Sequence, residues 1–320
     1  MNNKSETKYN NPIVMERADP WVYKHTDGYY YFMGSVPGYQ ALELRRSKQL
    51  NDLKDAEKVT VWRAHEEGPL SRLIWAPEIH YIQGKWYIYF AAAGSKDVLE
   101  GTFQHRMYAL ECEDENPLTG EWVEKGQIKT FVESFSLDAT VFELNDKLYY
   151  VWAQKDPEIP GNSNLYLSEM ENPWTLKGDY ICLSIPEFDW EKVGFLVNEG
   201  PAAIIRNGKV FIAYSASATD ENYCMGLLWA NIDSDLLDKA SWSKSEKPVF
   251  QSSETNKLYG PGHNSFTRSE DDLFDVMVFH ARPKKVEEVE PLDVPDRHAN
   301  AQVFTWDENG FPIFGIPGGN

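Results

Sequence analysis

Three acidic residues each open a stretch of strand-forming sequence: Asp19 in Arg17-Ala18-Asp19-Pro20-Trp21, Asp138 in Ser136-Leu137-Asp138-Ala139-Thr140, and Glu199 in Asn198-Glu199-Gly200-Pro201. Each precedes a turn, anchored at positions 28, 146 and 208, by 9, 8 and 9 residues. Carboxyls at matched register on equivalent strands can converge around one cavity. Like charges in a partly dry place raise one another's pKa, which suits a general acid, whereas a wetter carboxyl stays ionised and can serve as a base. A pair of this kind suits hydrolysis of a glycosidic bond; where water is the direct nucleophile, the two carboxyls stand about 6.5–9.5 Å apart. The competing reading makes each Asp a turn cap or a partner for a nearby backbone N–H. Three at one register weigh against it.

His263, in Pro261-Gly262-His263-Asn264-Ser265, holds the corresponding place in a further segment. Its residue type fits two roles equally: organising waters around a hard cation, or donating a hydrogen bond to a carboxylate. No His-x-x-x-His spacing or cysteine cluster accompanies it, so a catalytic zinc is not expected. Trp75 and Glu78 lie in a fifth such segment, Trp75-Ala76-Pro77-Glu78. Trp75 fits either a wall of a sugar pocket or a buried contact, and Glu78 is expected beside the site rather than in it.

The elements that position these residues are repeats. A turn followed by an aromatic strand recurs at Gly28, Gly84, Asp146, Gly208 and Asp272, with steps of 56, 62, 62 and 64 residues. Asn207-Gly208 and Asn145-Asp146 supply the positive φ that tight hairpin turns require, and the flanking aromatic and β-branched residues favour pleated strands. A third and often a fourth strand follows each hairpin. Repeated radially, such units make an all-β, five-bladed propeller of mostly four-stranded antiparallel blades. One domain is expected over residues 1–320, with the segment 297–320 completing or closing it. Helix is scarce: Asp233 to Ala240 is expected to form a turn or two, and Pro283 to Pro295 a solvated loop outside the last blade.

A formal charge of −19 repels phosphate backbones, so no nucleic acid partner is expected and a neutral ligand is. Eleven Trp and 17 Tyr fit packing between blades, with some rings left to line a cleft for the C–H faces of a sugar. No apolar run reaches membrane-spanning length, so no membrane association is expected. The three cysteines, Cys112, Cys182 and Cys224, are far apart in sequence and read as reduced. The start carries no apolar leader stretch, which points to the cytoplasm unless a secretory leader has been removed. A closed propeller exposes few strand edges, so a monomer is expected.

Taken together, the segments around Asp19, Trp75-Ala76-Pro77-Glu78, Asp138, Glu199 and Gly260-Pro261-Gly262-His263-Asn264-Ser265 resemble glycoside hydrolase family 43 across nearly the whole chain. The resemblance implies an inverting hydrolase acting on arabinose- or xylose-containing glycans. It makes Asp19 the general base, Glu199 the general acid, and Asp138 the residue that orients that acid and holds its pKa up. It implies no cofactor for the chemistry, and a structural calcium in the central channel, held largely through water near His263. The tail, Arg297-His298-Ala299-Asn300-Ala301-Gln302-Val303 with Trp306, resembles single-domain exo-acting α-L-arabinofuranosidases. The expected substrate is therefore a neutral α-1,5-linked arabino-oligosaccharide. Arg297 is expected either to reach the hydroxyls of the terminal sugar or to form a surface ion pair. Tyr39, in Val36-Pro37-Gly38-Tyr39-Gln40, and the segment from Gly94 to Gln104 are candidate walls. The alternatives are a β-xylosidase or endo-arabinanase of the same fold, or a non-catalytic glycan-binding propeller.

Overall fold

The structure, a computed structural model, describes residues 8–286 and 291–319. Its strands form five four-stranded antiparallel sheets, each a meander in chain order. Blade one comprises β1 (Ala18–Lys24), β2 (Tyr30–Ser35), β3 (Ala41–Ser47) and β4 (Lys58–Arg63). Blade two follows with β5 (Arg72–Ile82), β6 (Lys85–Ala93), β7 (Arg106–Cys112) and β8 (Val123–Gln127). Blade three is β9 (Ser136–Leu144), β10 (Lys147–Gln154), β11 (Asn164–Asn172) and β12 (Thr175–Ser184). Blade four is β13 (Asn198–Arg206), β14 (Lys209–Ala216), β15 (Cys224–Asn231) and β16 (Ser243–Lys244). Blade five is β17 (Tyr259–Arg268), β18 (Asp275–Arg282), β19 (His298–Trp306) and β20 (Pro312–Ile313).

The first strand of each blade packs against the first strands of both neighbours, and β17 against β1 closes the ring. The hairpins joining inner strand to second strand turn as their residues require. Asn145 and Asp146 have φ of 52° and 59°, and Asn207 and Gly208 have 51° and 74°, the primed geometry that matches strand twist. Aromatic rings fill the seams between blades: Trp86, Trp152, Tyr89, Tyr150, Tyr166 and Tyr214 are among the most deeply buried side chains. Their polar atoms find partners where the packing allows. The Trp152 indole N–H donates to Gln154 Oε1 at 2.7 Å, and the Tyr89 hydroxyl to the Pro173 carbonyl at 2.6 Å.

The two ends of the chain meet in blade five. Strand β20 pairs only with Thr305 and Trp306, leaving the start of β19 uncovered. The N-terminal segment fills that gap. Ile13 N–H donates to the Ala299 carbonyl at 2.8 Å, and the Asn11 amide both donates to and accepts from the Ala301 backbone at 2.8 Å. An exposed strand edge is thus covered at the point where the ring shuts.

One expectation narrows and one changes. Of the turn or two expected over Asp233 to Ala240, one 3-10 turn forms, at Lys239–Ser241, opened by Asp238, whose carboxylate accepts the Ala240 N–H at 2.9 Å. Asp side chains compete for backbone N–H groups in this way and favour caps over helix interiors. The segment after Pro283 is not simply a solvated loop: of its described part, Leu292 to Pro295 lines a cavity at the mouth of the ring. No described helix is long and apolar enough to cross a membrane. Cys112, Cys182 and Cys224 are all unpaired.

Candidate active site

Each inner strand loses register with its neighbour near its start, and each carries a left-handed residue there: Asp19 (φ 55°), Ala76 (45°), Asp138 (50°), Gly200 (54°) and His263 (44°). Five bulges at one height re-aim the side chains around them. A non-glycine residue in this region costs of order 1–3 kcal/mol, and such residues gather at functional sites. Bulging frees a backbone N–H from the ladder, and in four of the five blades a side chain of the preceding blade accepts it. Asp19 N–H donates to His280 Nδ1 (3.0 Å), Ala76 N–H to Ser35 Oγ (2.9 Å), Gly200 N–H to Asp138 Oδ2 (3.1 Å) and His263 N–H to Ser215 Oγ (2.7 Å). Asp19, Asp138 and His263 occupy bulge positions themselves, whereas Glu199 stands one residue ahead of its bulge at Gly200. Close packing against His263 favours glycine there. A Cβ on Gly200 would lie 3.1 Å from Cγ and 3.2 Å from Nδ1 of His263.

Asp19 is buried and held from several sides. The Ser35 hydroxyl donates to its Oδ2 at 2.5 Å, while Oδ1 lies 3.3 Å from His263 Nδ1 and 3.5 Å from Arg297 Nη1. His280 Nδ1 accepts the Asp19 N–H, so it does not also donate to the carboxylate 3.4 Å away. Burial pushes the Asp19 carboxyl up, but the neighbouring His263 and the Arg297 guanidinium outweigh it and hold the group well below the usual carboxylate range. Burial also lowers both histidines, His280 to about 3, which keeps them neutral. Arg297 is therefore the lasting cation beside Asp19.

Glu199 and Asp138 behave oppositely. Burial pushes Glu199 up to about 7; the Tyr223 hydroxyl, donating to its Oε1 at 2.9 Å, opposes this, and the charge of Asp19 adds to it. Burial raises Asp138 well above its ordinary value, with the charges of Glu199 and Asp19 adding to the effect. Each of the two lies in the other's field, so their protons belong to the pair. Below about pH 7 the site holds an ionised Asp19 facing carboxyls that keep a proton. Glu78 lies deeper: it is buried against His80 at 2.9 Å and is raised mainly by burial.

Asp19, Asp138, Glu199, His263, Arg297, Tyr39 and Trp75 line one cavity of about 400 Å³. A second cavity of about 560 Å³ opens beside it, sharing Tyr39, Trp75, Phe103, Leu292 and Arg297 as its partition. Arg297 is buried rather than part of a surface pair, and its Nη2 is 3.5 Å from the Tyr39 hydroxyl. That hydroxyl donates to the Leu292 carbonyl at 3.1 Å and ties blade one to the strap after Pro283. Trp75 stacks on His105 with ring centroids 4.1 Å apart, so it is at once a wall and a blade contact.

Ser35, Ser215, Tyr223, His280 and Leu292 were not singled out in the sequence. For His280 a signal existed, an imidazole directly after the apolar run Val276-Met277-Val278-Phe279 and before Ala281. Tyr223 gave none, because its role depends on Gly262, where a Cβ would lie 2.5 Å from the Tyr223 ring.

A channel calcium would need hard oxygen ligands, usually six to eight. Among the described residues, no group of three or more His, Cys, Asp or Glu is arranged to hold a metal ion. Nδ1 of His263 faces Asp19 and lies 3.8 Å from Asp138 Oδ2. The donor set does not fit a directly ligated ion, and no step below uses one.

Residues 9–312 match the model of glycosyl hydrolases family 43. Over 309 residues the chain is 51% identical to the extracellular exo-α-(1→5)-L-arabinofuranosidase of Streptomyces avermitilis, covering 97% of this chain and 63% of that protein. It is 47% identical over 310 residues to α-L-arabinofuranosidase 43 of Humicola insolens, again spanning 97% of this chain and 63% of that one. The chain therefore spans less than two thirds of the length of these two relatives. The crystal structure of an α-L-arabinofuranosidase from Lactobacillus brevis superposes with a TM-score of 0.95 at 57% identity, covering 97% of each chain. An endo-arabinanase from Bacillus licheniformis, at 15% identity and a TM-score of 0.63, shares the fold. The five bulged strands, the carboxyls they carry and these matches agree: the chain belongs to glycosyl hydrolases family 43.

Proposed function

We propose that this protein is an inverting, exo-acting α-L-arabinofuranosidase that releases terminal L-arabinofuranose from α-1,5-linked arabino-oligosaccharides. One observation carries the reading: a single cavity holds an ionised Asp19 and a Glu199 raised to about 7. The names of these relatives support the sugar and the linkage.

In the proposed reaction Asp19 takes a proton from a water as its oxygen bonds to the anomeric carbon. Glu199 gives its proton to the glycosidic oxygen as the bond between that oxygen and the anomeric carbon breaks. The products are free arabinose and a shortened glycan, leaving Asp19 protonated and Glu199 ionised until solvent exchanges both. Arg297 keeps Asp19 ionised before the reaction. Asp138 accepts the Gly200 N–H directly after the acid, and ionisation of either carboxyl of the pair opposes ionisation of the other. Tyr39, Trp75, Arg297 and Leu292 close one side of the cavity, which suits a chain end rather than a chain interior.

A monomer and a cytoplasmic location belong to the same proposal, the latter resting on three unpaired cysteines. A calcium near His263 belongs to it as well, held through water. The test of function is a product profile on linear arabinan, arabinoxylan and xylo-oligosaccharides. Arabinose alone, released from chain ends, is expected. Xylose from xylobiose, or internal cuts that shorten arabinan without early monosaccharide, would replace the reading with a xylosidase or an endo-enzyme.

A further inference from the structure

The loop from 185 to 197, between β12 and β13, leads directly into Glu199 and carries an unusual pairing of a rigid base and an apolar tip. Its base is Glu191, which is fully buried. The Glu191 carboxylate accepts from the backbone N–H groups of Glu187 and Phe188 (2.9 Å each), from Asn198 Nδ2 and the Tyr214 hydroxyl (2.9 Å each), and from Lys244 Nζ at 2.8 Å. Charge-assisted bonds of this number fix a loop firmly. Further along, Val193 N–H donates to Ser217 Oγ at 3.0 Å, Ala218 N–H donates to the Val193 carbonyl at 2.8 Å, and Asn162 N–H donates to the Leu196 carbonyl at 2.9 Å.

Between these pinned points stands Phe195. It lines the catalytic cavity yet is 46% exposed, and Val98, on the loop of blade two, lines the same cavity at 55% exposed. Apolar and aromatic side chains open at the rim of a polar site offer a surface that a bound ligand can cover. What covers it follows from the position of the acid. The glycosidic oxygen must lie within hydrogen-bond reach of Glu199, so the sugar on that oxygen lies on Glu199's side of the cavity. Tyr39, Trp75, Arg297 and Leu292 line the border with the second cavity, which Phe195 and Val98 do not reach. Phe195 is four residues ahead of Glu199 in the chain, and its ring offers the flat apolar surface that the C–H face of a pyranose or furanose matches.

We infer that Phe195, with Val98, is the binding platform for the leaving sugar, the unit directly after the scissile bond. The inference rests on the reading of Glu199 as proton donor and adds to it the residue that recognises the chain from which arabinose is cut. Because the loop is already fixed by Glu191, little ordering cost is set against the contact.

The test compares wild type and Phe195→Ala on α-1,5-arabinotriose and on methyl α-L-arabinofuranoside, whose leaving group has no ring. The loss of kcat/KM on the triose is expected to exceed the loss on the methyl glycoside by about tenfold. It should appear chiefly in KM, and Phe195→Trp should restore most of it. Equal losses on both substrates, or a triose rate that does not fall, would overturn the platform while leaving the hydrolase reading intact. A wild type that cleaves neither substrate would overturn both.

Discussion

Glu199→Ala is expected to lower kcat on α-1,5-arabinobiose by about 10³-fold and on 2,4-dinitrophenyl α-L-arabinofuranoside by less than about tenfold. The contrast follows from what a general acid supplies. A sugar alkoxide is a poor leaving group and needs a proton as the bond breaks, whereas dinitrophenolate leaves unaided. The pH profile carries a second signature. With the pKa of Glu199 raised to about 7 by burial, activity on the biose falls as pH rises through that value, because the acid loses its proton. In the Glu199→Ala enzyme assayed with the aryl substrate that alkaline limb should vanish. Steady-state rates across pH on both substrates check both points. A mutant equally slow on the two substrates would remove Glu199 from the role of proton donor.

Asp19→Asn should lose about 10⁴-fold on both substrates alike, because water must be activated whichever group leaves. The amide keeps the shape of the side chain and can still accept from Ser35, but it cannot take a proton from water. The wild-type acid limb reports the same group from the other side. Since the Arg297 guanidinium, the lasting cation beside it, holds Asp19 well below the ordinary carboxylate range, activity should persist into acid until that carboxylate is protonated. Retention of more than about a hundredth of the wild-type rate would exclude Asp19 as the general base that activates the attacking water.

Much of this arrangement was legible in the sequence because propeller repeats bring equivalent positions to one height. Turn anchors at regular steps located the inner strands, and Asp19, Asp138 and His263 followed from them. The bulges were not legible. Left-handed backbone at Asp19, Ala76, Asp138 and His263 runs against the intrinsic preference of those residues, and at Asp19, Ala76 and His263 it is stabilised by acceptors on the preceding blade, such as Ser35 and Ser215. Propensity sees the local chain, and these acceptors lie far off in it. For the same reason the shift of Glu199 by one residue relative to the other two carboxyls was hidden: Gly200, not Glu199, takes the bulge. The strap after Pro283 read as charged and proline-rich, yet the Leu292 carbonyl is the acceptor for Tyr39 across the cavity mouth. Composition reports solvation. It does not report which backbone carbonyl meets a tyrosine.

Direct displacement by a water that Asp19 activates, opposite a leaving oxygen that Glu199 protonates, has one consequence no substitution can blur. Followed by proton NMR from the first turnovers, before the free sugar mutarotates, an α-linked arabinofuranoside should yield β-L-arabinofuranose. Initial release of the α anomer would mean a covalent intermediate, and two carboxyls in roles other than those drawn from this cavity.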